Sequence, residues 1–201
     1  MPIAFRPDLP AEIAFLAVLA GWLGFAVILA LGKRGAAPGA AKRDWKSGVG
    51  FLLQALAYAI CFVFARTYFS AIRPMPHLAE QILAGVTIAI VAASVWFCYA
   101  AAKALGKQWA LVARVIEGHE LIFTGPYAIV RNPIYLAMLG MYVASALAAA
   151  RWPAALGGLL VFLAGTAIRI RAEENLLRAN FGTSFNDYAR RVPAFLPRLF
   201  L

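Results

Sequence analysis

Two stretches of the chain hold residue types that could do chemistry. The first runs Glu117-Gly118-His119-Glu120-Leu121-Ile122-Phe123-Thr124-Gly125-Pro126-Tyr127-Ala128-Ile129-Val130-Arg131-Asn132-Pro133-Ile134-Tyr135. Gly125-Pro126 marks a turn. Asn132 followed by Pro133 reads as a helix start, with Asn as N-cap and Pro in the first helical position. A helix beginning there exposes free N–H groups and the positive end of its dipole, which favour an anion such as a carboxylate. Arg131 adds a fixed charge; the plainer alternative is that it anchors the helix at lipid head groups. The second stretch is Arg169-Ile170-Arg171-Ala172-Glu173-Glu174. Arg169 and Glu173, four apart, share one helix face, and Arg171 and Glu174, three apart, share another. Acids at the mouth of a membrane helix are costly unless paired or used. The plain reading here is a pair of snorkelling salt bridges, which contribute little.

Elements that could position these stretches follow from the apolar runs. A bilayer-crossing helix needs about 20 mainly apolar residues. Ala11 to Leu31, Ser47 to Phe69 and Ile82 to Leu105 meet that need. The run from Pro133 to Ile168 is too long for one span and is broken at Arg151-Trp152-Pro153, where Pro suits a new first turn. It reads as a tight hairpin of two short helices, 133–150 and 152–168. The fold class expected is therefore all-α, a polytopic membrane protein with about five transmembrane helices. Arg169 to Leu177 extends the fifth helix out of the membrane. Gly182 reads as a helix C-cap, and Ser184 with Asp187 resembles a capping box that opens a short helix ending before Pro193. Two parts are expected: residues 1–105, three spans with a linker at 32–46, and residues 106–201, carrying the site.

The composition agrees. Hydrophobic residues make up 63% of the 201, against roughly 45–50% in soluble domains, and the mean hydropathy is +0.77. The net charge is +10, but the basic residues sit between apolar runs. They indicate anionic head groups and a topology signal rather than nucleic acid. Fifteen of the 19 Lys and Arg fall on one side: Lys33, Arg34, Lys42, Arg43, Lys46, Lys103, Lys107, Arg114, Arg131, Arg169, Arg171, Arg178, Arg190, Arg191 and Arg198. Arg6, Arg66, Arg73 and Arg151 lie on the other. The positive-inside rule then puts both chemical stretches and the C-terminus in the cytoplasm, in the setting of a bacterial inner membrane. Met1 to Pro10 lacks a basic start and reads as no removable leader. Cys61 and Cys98 read as small packing residues, and Gly157, Gly158 and Gly165 as close helix-packing sites. His119 and His77 stand apart from one another, so no metal cluster is expected.

Taken together, the two stretches resemble the isoprenylcysteine carboxyl methyltransferase and phospholipid methyltransferase superfamily. The family pattern is G-H-x-L-V-x-x-G-x-Y-x-x-x-R-H-P-x-Y, then R-x-x-x-E-E, then an F-G-x-x-Y-x-x-Y tail. Here these are Gly118 to Tyr135, Arg169 to Glu174, and Phe181-Gly182 through Phe185 and Tyr188, followed by Val192 to Pro197. The resemblance covers about residues 105–197. It implies an integral membrane enzyme that uses S-adenosylmethionine to methylate a lipophilic or amphipathic acceptor, such as an isoprenylcysteine-like carboxylate or a lipid amine. It further implies that His119, Glu120, Leu121 and Ile122 run along the cofactor, that Tyr127 lines its pocket, and that Arg131, Asn132, Pro133, Ile134 and Tyr135 meet it where the fourth helix starts. Glu173, with Glu174 beside it, would hold the cofactor, and Arg169 would face the acceptor. Glu174 could take a proton from an amine acceptor. Asn132 stands where the family has His, and Phe185 where it has the first tail Tyr. The alternative is a membrane reductase of the sterol and steroid type using NADPH; Ile134 and the Glu173-Glu174 pair favour the methyltransferase. A non-catalytic transporter would need polar residues near mid-span, and only Gln54 and a few hydroxyls offer that.

Overall fold

A computed structural model of the chain describes residues 8–35, 45–66, 76–106 and 121–197. Among them the helices are α1 (Leu9–Gly35), α2 (Trp45–Val63), α3 (His77–Leu105), α4 (Pro133–Ala149), α5 (Trp152–Phe181) and α6 (Thr183–Arg191), with a 3-10 turn at Gly125–Ala128 before α4. This is the all-α polytopic membrane fold that the apolar runs imply. Four helices, α1, α2, α3 and α5, are long and apolar enough to cross a membrane; α4 is apolar but only 17 residues long. That is about 25 Å at 1.5 Å per residue. Its ends nonetheless reach both levels of the bundle: Tyr135 near its start touches Arg169, and Ala149 at its end bonds the backbone of Arg66 just past α2.

The short helix is the central one. One core joins α4 to α1 and α3 through Val18, Phe25, Val91, Cys98, Met141 and Ala144. The other joins it to α2 and α5 through Ala57, Cys61, Tyr142 and Phe162. A helix apolar all round and surrounded by neighbours needs no lipid-facing stripe. The surrounding helices turn Leu16, Leu23, Val86, Trp96, Leu156 and Leu160 outward, as expected where the solvent is lipid. Aromatic rings pack against one another inside: Trp22 meets Tyr58 edge-on at 4.7 Å, and Tyr58 meets Phe162 at 5.8 Å.

The α4–α5 hairpin forms as the Arg151-Trp152-Pro153 break requires, with Pro in the first turn of α5. The second helix is shorter than its apolar run suggests, ending at Val63 rather than Phe69. Its chain leaves the helix because the backbone of Phe64 to Arg66 bonds the hairpin bend instead, with Arg66 N donating to Ala149 O at 2.7 Å and Arg151 N to Phe64 O. Residues 67–69 lie outside the described residues.

Two of the spans, α2 and α5, meet glycine on glycine. A methyl group built on Gly165 would lie 2.7 Å from the carbonyl oxygen of Gly50 and 2.9 Å from Leu53 Cβ; one built on Gly50 would lie 2.6 Å from the carbonyl oxygen of Gly165. Only hydrogen fits on either side, so α2 and α5 meet backbone to backbone. Gly158 packs likewise against Tyr142 and Ala57, whereas Gly157, read from the sequence as a packing site, faces open space. Gly165→Ala should therefore lower the unfolding free energy in detergent by about 1–3 kcal/mol through overpacking. Thermal melting should show this as an earlier midpoint, with no such loss for Gly157→Ala.

Candidate active site

The polar residues gather at the end of the bundle where α2 begins, α4 begins and α5 continues past its apolar half. Gly125 starts the 3-10 turn at φ +61, a left-handed conformation that a residue with a Cβ rarely adopts. The turn carries the chain past the end of α3, where Ala104 lies 3.9 Å from the Cβ direction of Gly125, and buries Pro126 and Tyr127. Leu121 and Ile122, just before it, are half-buried. His119 and Glu120 lie outside the described residues.

Arg131 leaves the turn and closes a clamp. Its Nε donates to Glu174 Oε1 at 2.8 Å and its Nη2 to Glu174 Oε2 at 3.0 Å, a bidentate pair across 43 residues. Its Nη1 donates to the carbonyls of Ala189, at 2.9 Å, and Val192. The backbone N of Arg131 bonds Pro193 O at 2.9 Å. The Asn132 side chain donates to Ala194 O at 2.8 Å, and the Tyr188 hydroxyl donates to Tyr127 O at 2.6 Å. Burial pushes the Tyr188 hydroxyl up to about 12, so it remains a donor at neutral pH. The start of α4, the outer part of α5 and the segment after α6 are thus stitched into one unit.

Three local readings change here. Asn132 occupies the N-cap position of α4 but does not cap it, because its amide is committed to Ala194. Glu174 pairs with Arg131 and not with Arg171, which is exposed; a bidentate partner in a buried position outcompetes a neighbour on the same helix surface. The expected capping box is not formed. Gly182, at φ +52, ends α5 and directly precedes α6, which starts at Thr183 with no side-chain cap, and Asp187 pairs with Arg190. Phe185, which stands where the family pattern has a Tyr, is fully buried.

Tyr135, Arg169 and Glu173 form the second constellation. The Tyr135 hydroxyl donates to Glu173 Oε1, and Arg169 Nη2 lies 3.9 Å from the same oxygen. The Arg169 guanidinium lies 4.7 Å from the Tyr135 ring centroid and 5.7 Å from that of Phe51. Its Nη1 donates to Gln54 Oε1 at 2.9 Å, and Gln54 Nε2 donates to Thr166 Oγ1 at 2.8 Å. Arg169 is 4% exposed, while the Glu173 side chain keeps 24% of its surface open. The Tyr127 hydroxyl is pushed well up, first by burial and then by the Glu173 carboxylate. Pro133 is buried in the first turn of α4, and Ile134 is half-buried beside it.

Eleven of the thirteen residues singled out from the sequence therefore lie among the described residues: Leu121, Ile122, Tyr127, Arg131, Asn132, Pro133, Ile134, Tyr135, Arg169, Glu173 and Glu174. Direct contacts join Arg131 to Glu174, and Tyr135 and Arg169 to Glu173. Sequence reasoning missed Gln54, Phe51 and Thr166 as neighbours of Arg169. Gln54 had a visible signal, a lone amide in an apolar run; Phe51 had none.

Comparison with known proteins bears on the same region. A model of the phospholipid methyltransferase family matches residues 82–184, from within α3 to the start of α6. The chain belongs to the phospholipid methyltransferase family. It is 40% identical over 99 residues to the nickel-cobalt-cadmium resistance protein NccN of Alcaligenes xylosoxydans xylosoxydans, covering 48% of this chain and 46% of that one. It is 35% identical over 99 residues to the cobalt-zinc-cadmium resistance protein CzcN of Cupriavidus metallidurans, covering 48% and 45%. It is 42% identical over 78 residues to methanethiol S-methyltransferase 2 of Bradyrhizobium diazoefficiens, covering 37% and 27%. The chain thus spans less than half the length of these curated relatives. The family placement favours the methyltransferase over the reductase, and the apolar helices make the protein an integral membrane protein.

The clamp has a direct consequence. The Arg131 and Glu174 side chains are 11% and 12% exposed, so removing one strands the other as a buried charge. Arg131→Ala should cost about 3–5 kcal/mol, measured by thermal unfolding, and should open the segment after α6 to protease. The Arg131→Ala, Glu174→Ala double variant should lose less than the sum of the two singles; simple additivity would mean that the two do not act as a unit.

Proposed function

We propose that the protein is an S-adenosylmethionine-dependent methyltransferase acting on a lipophilic or amphipathic acceptor at the cytoplasmic face of a bacterial inner membrane. The observation that carries this reading is the Glu173 carboxylate. Its Oε1 takes both the Tyr135 hydroxyl and the approach of Arg169, and its side chain is partly open. Oε2 is left as an acceptor for a ligand's hydroxyl or ammonium donors. S-adenosylmethionine has such donors in its ribose diol and amino group, so the donor set fits. When bound, it supplies an electrophilic methyl group on a positively charged sulfur.

The chain's residues then have separate tasks. Glu173 would accept hydrogen bonds from the cofactor, and Tyr135 fixes the direction of the carboxylate. Tyr127 and the turn from Gly125 form the adjoining wall. Leu121 and Ile122, with His119 and Glu120 before them, are assigned to the cofactor's flank by the family pattern. Arg169, at the inner end, is assigned to the acceptor side. We assign Arg131 and Glu174 to the clamp rather than to proton removal, because both Glu174 oxygens are engaged by Arg131. What the chain would have to supply is alignment, holding the acceptor in line with the cofactor's methyl group, with an acceptor that attacks as its carboxylate or thiolate or as an amine that gives its proton to water. Such alignment needs positioned partners more than an added base. Enclosure among apolar helices excludes water as charge disperses. The acceptor class includes a small thiol, since one relative is named for methanethiol, beside a lipid amine or a lipid-linked carboxylate.

Two tests address this reading. Labelled-methyl transfer into a total lipid extract and into a small thiol should fall about a hundredfold or more in Glu173→Ala and in Arg169→Ala in folded protein, leaving a residual rate that long single-turnover incubations can read. The thermal stabilisation that S-adenosylhomocysteine gives the wild type should vanish in Glu173→Ala. Full activity in both variants would remove the site assignment, and stabilisation by NADPH instead would reverse the choice of cofactor. For orientation, cysteines introduced at Arg190 and Arg151 should react with a membrane-impermeant thiol reagent from opposite sides, Arg190 only after the inner membrane is opened.

A further inference from the structure

The stretch that matches the family begins at residue 82, so it leaves α1 and α2 without a role. Yet α2 packs tightly on α5 through Gly50 and Gly165, and that contact lies at Arg169: a methyl group on Gly50 would lie 2.5 Å from Arg169 Cγ. The register of the two helices brings Gln54 opposite Thr166 and Arg169, and all three are buried. We propose that Gln54 is a positioning residue for Arg169, and that Thr166 fixes the orientation in which Gln54 does this. The proposal rests on the assignment of Arg169 and Glu173 to the active site.

The argument is one of donors and acceptors. A guanidinium carries only donors, while a carboxamide has one acceptor end and one donor end. Gln54 Nε2 donates to Thr166 Oγ1 at 2.8 Å, which turns Oε1 toward Arg169 Nη1 at 2.9 Å. Flipping the amide would set donor against donor at a buried charge. Phe51, one turn earlier on α2, and Tyr135, on α4, restrict the guanidinium from two further sides. Arg169 in turn stands 3.9 Å from the Glu173 oxygen that Tyr135 also holds. A neutral amide suits this place better than a second carboxylate would, because it directs Arg169 without competing for its charge with Glu173. Leucine has nearly the same bulk as glutamine and is better solvated in a bilayer, so a purely space-filling role would be met by Gln54→Leu. A positioning role would not.

The test uses the full chain in lipid nanodiscs, with labelled-methyl turnover at saturating S-adenosylmethionine and its KM both measured. Gln54→Leu should lower kcat about tenfold or more, the scale expected for losing a hydrogen bond to a charged group, with KM for S-adenosylmethionine changed far less. Thr166→Val should give a smaller loss, and Thr166→Ser, which restores the hydroxyl, should return kcat to near the wild-type value. In an Arg169→Ala background, long single-turnover incubations should show no further loss from Gln54→Leu, because the partner through which it acts is gone. Wild-type kcat in Gln54→Leu, or an equal loss with and without Arg169, would overturn the proposal. If Gln54→Leu does not fold, the Thr166→Val and Thr166→Ser pair decides: equal kcat in the two overturns it. Full activity in Arg169→Ala would instead remove the site assignment itself, whereas normal Gln54 and Thr166 variants beside an inactive Arg169→Ala would overturn only this inference.

Discussion

The contact between Gly50 and Gly165 sets the geometry on which the site depends. Lipid tails are as apolar as leucine, so helices in a bilayer gain little by hiding apolar surface from one another. They associate where backbones come close enough for dense packing and for polar side chains to reach across. Two facing glycines give that closeness. A side chain at either position would push α2 away from α5 and lengthen the Gln54 to Arg169 bond beyond use. The glycines serve the site without touching any ligand, by fixing the depth at which a charged residue can lie inside the bundle.

Charge in the bundle is handled in two distinct ways. Arg131 and Glu174 neutralise each other through a bidentate pair, and the remaining donors of Arg131 go to backbone carbonyls near the chain's end. Such a pair is closed and suits a structural clamp. Arg169 and Glu173 are a looser pair at 3.9 Å, in which the acid keeps an open face and the base is steadied by an amide and two rings. The closed pair holds the frame, and the looser one is left able to meet a ligand. Both acids are neighbours on α5, so a rotation of roughly 100° per residue along the helix separates the two roles.

Much of this was readable from the sequence, and the reasons for the rest are specific. Apolar length and the Arg151-Trp152-Pro153 break gave the spans and the hairpin, because those features answer to the bilayer and to proline alone. The i, i+4 spacing gave Arg169 with Glu173, since both lie on one helix. Partners across helices were not readable: Glu174 was matched to nearby Arg171, while Arg131, 43 residues back, takes it. The end of α2 is not legible locally, because Phe64 to Phe69 is apolar enough to continue a helix, while the hairpin bend, from another part of the chain, bonds the backbone of Phe64 and Arg66 instead. Asn132 is locally a sound capping residue, but a carbonyl 62 residues on takes its amide. In each case a distant group decided among choices that were locally sound.

The order of synthesis adds a further consequence to the α2–α5 contact. Helices enter a membrane as they emerge, N-terminal first. Gln54 therefore enters the bilayer 115 residues ahead of Arg169, the residue it will meet. During that interval α2 holds an amide whose final partners do not yet exist. A charged side chain at the mouth of a span, such as Arg169, is itself unfavourable to insert unless it is paired. A waiting amide, brought within reach by a glycine groove, lowers the cost of accepting that helix. The polar seam thus joins a residue made early in synthesis to one made 115 residues later.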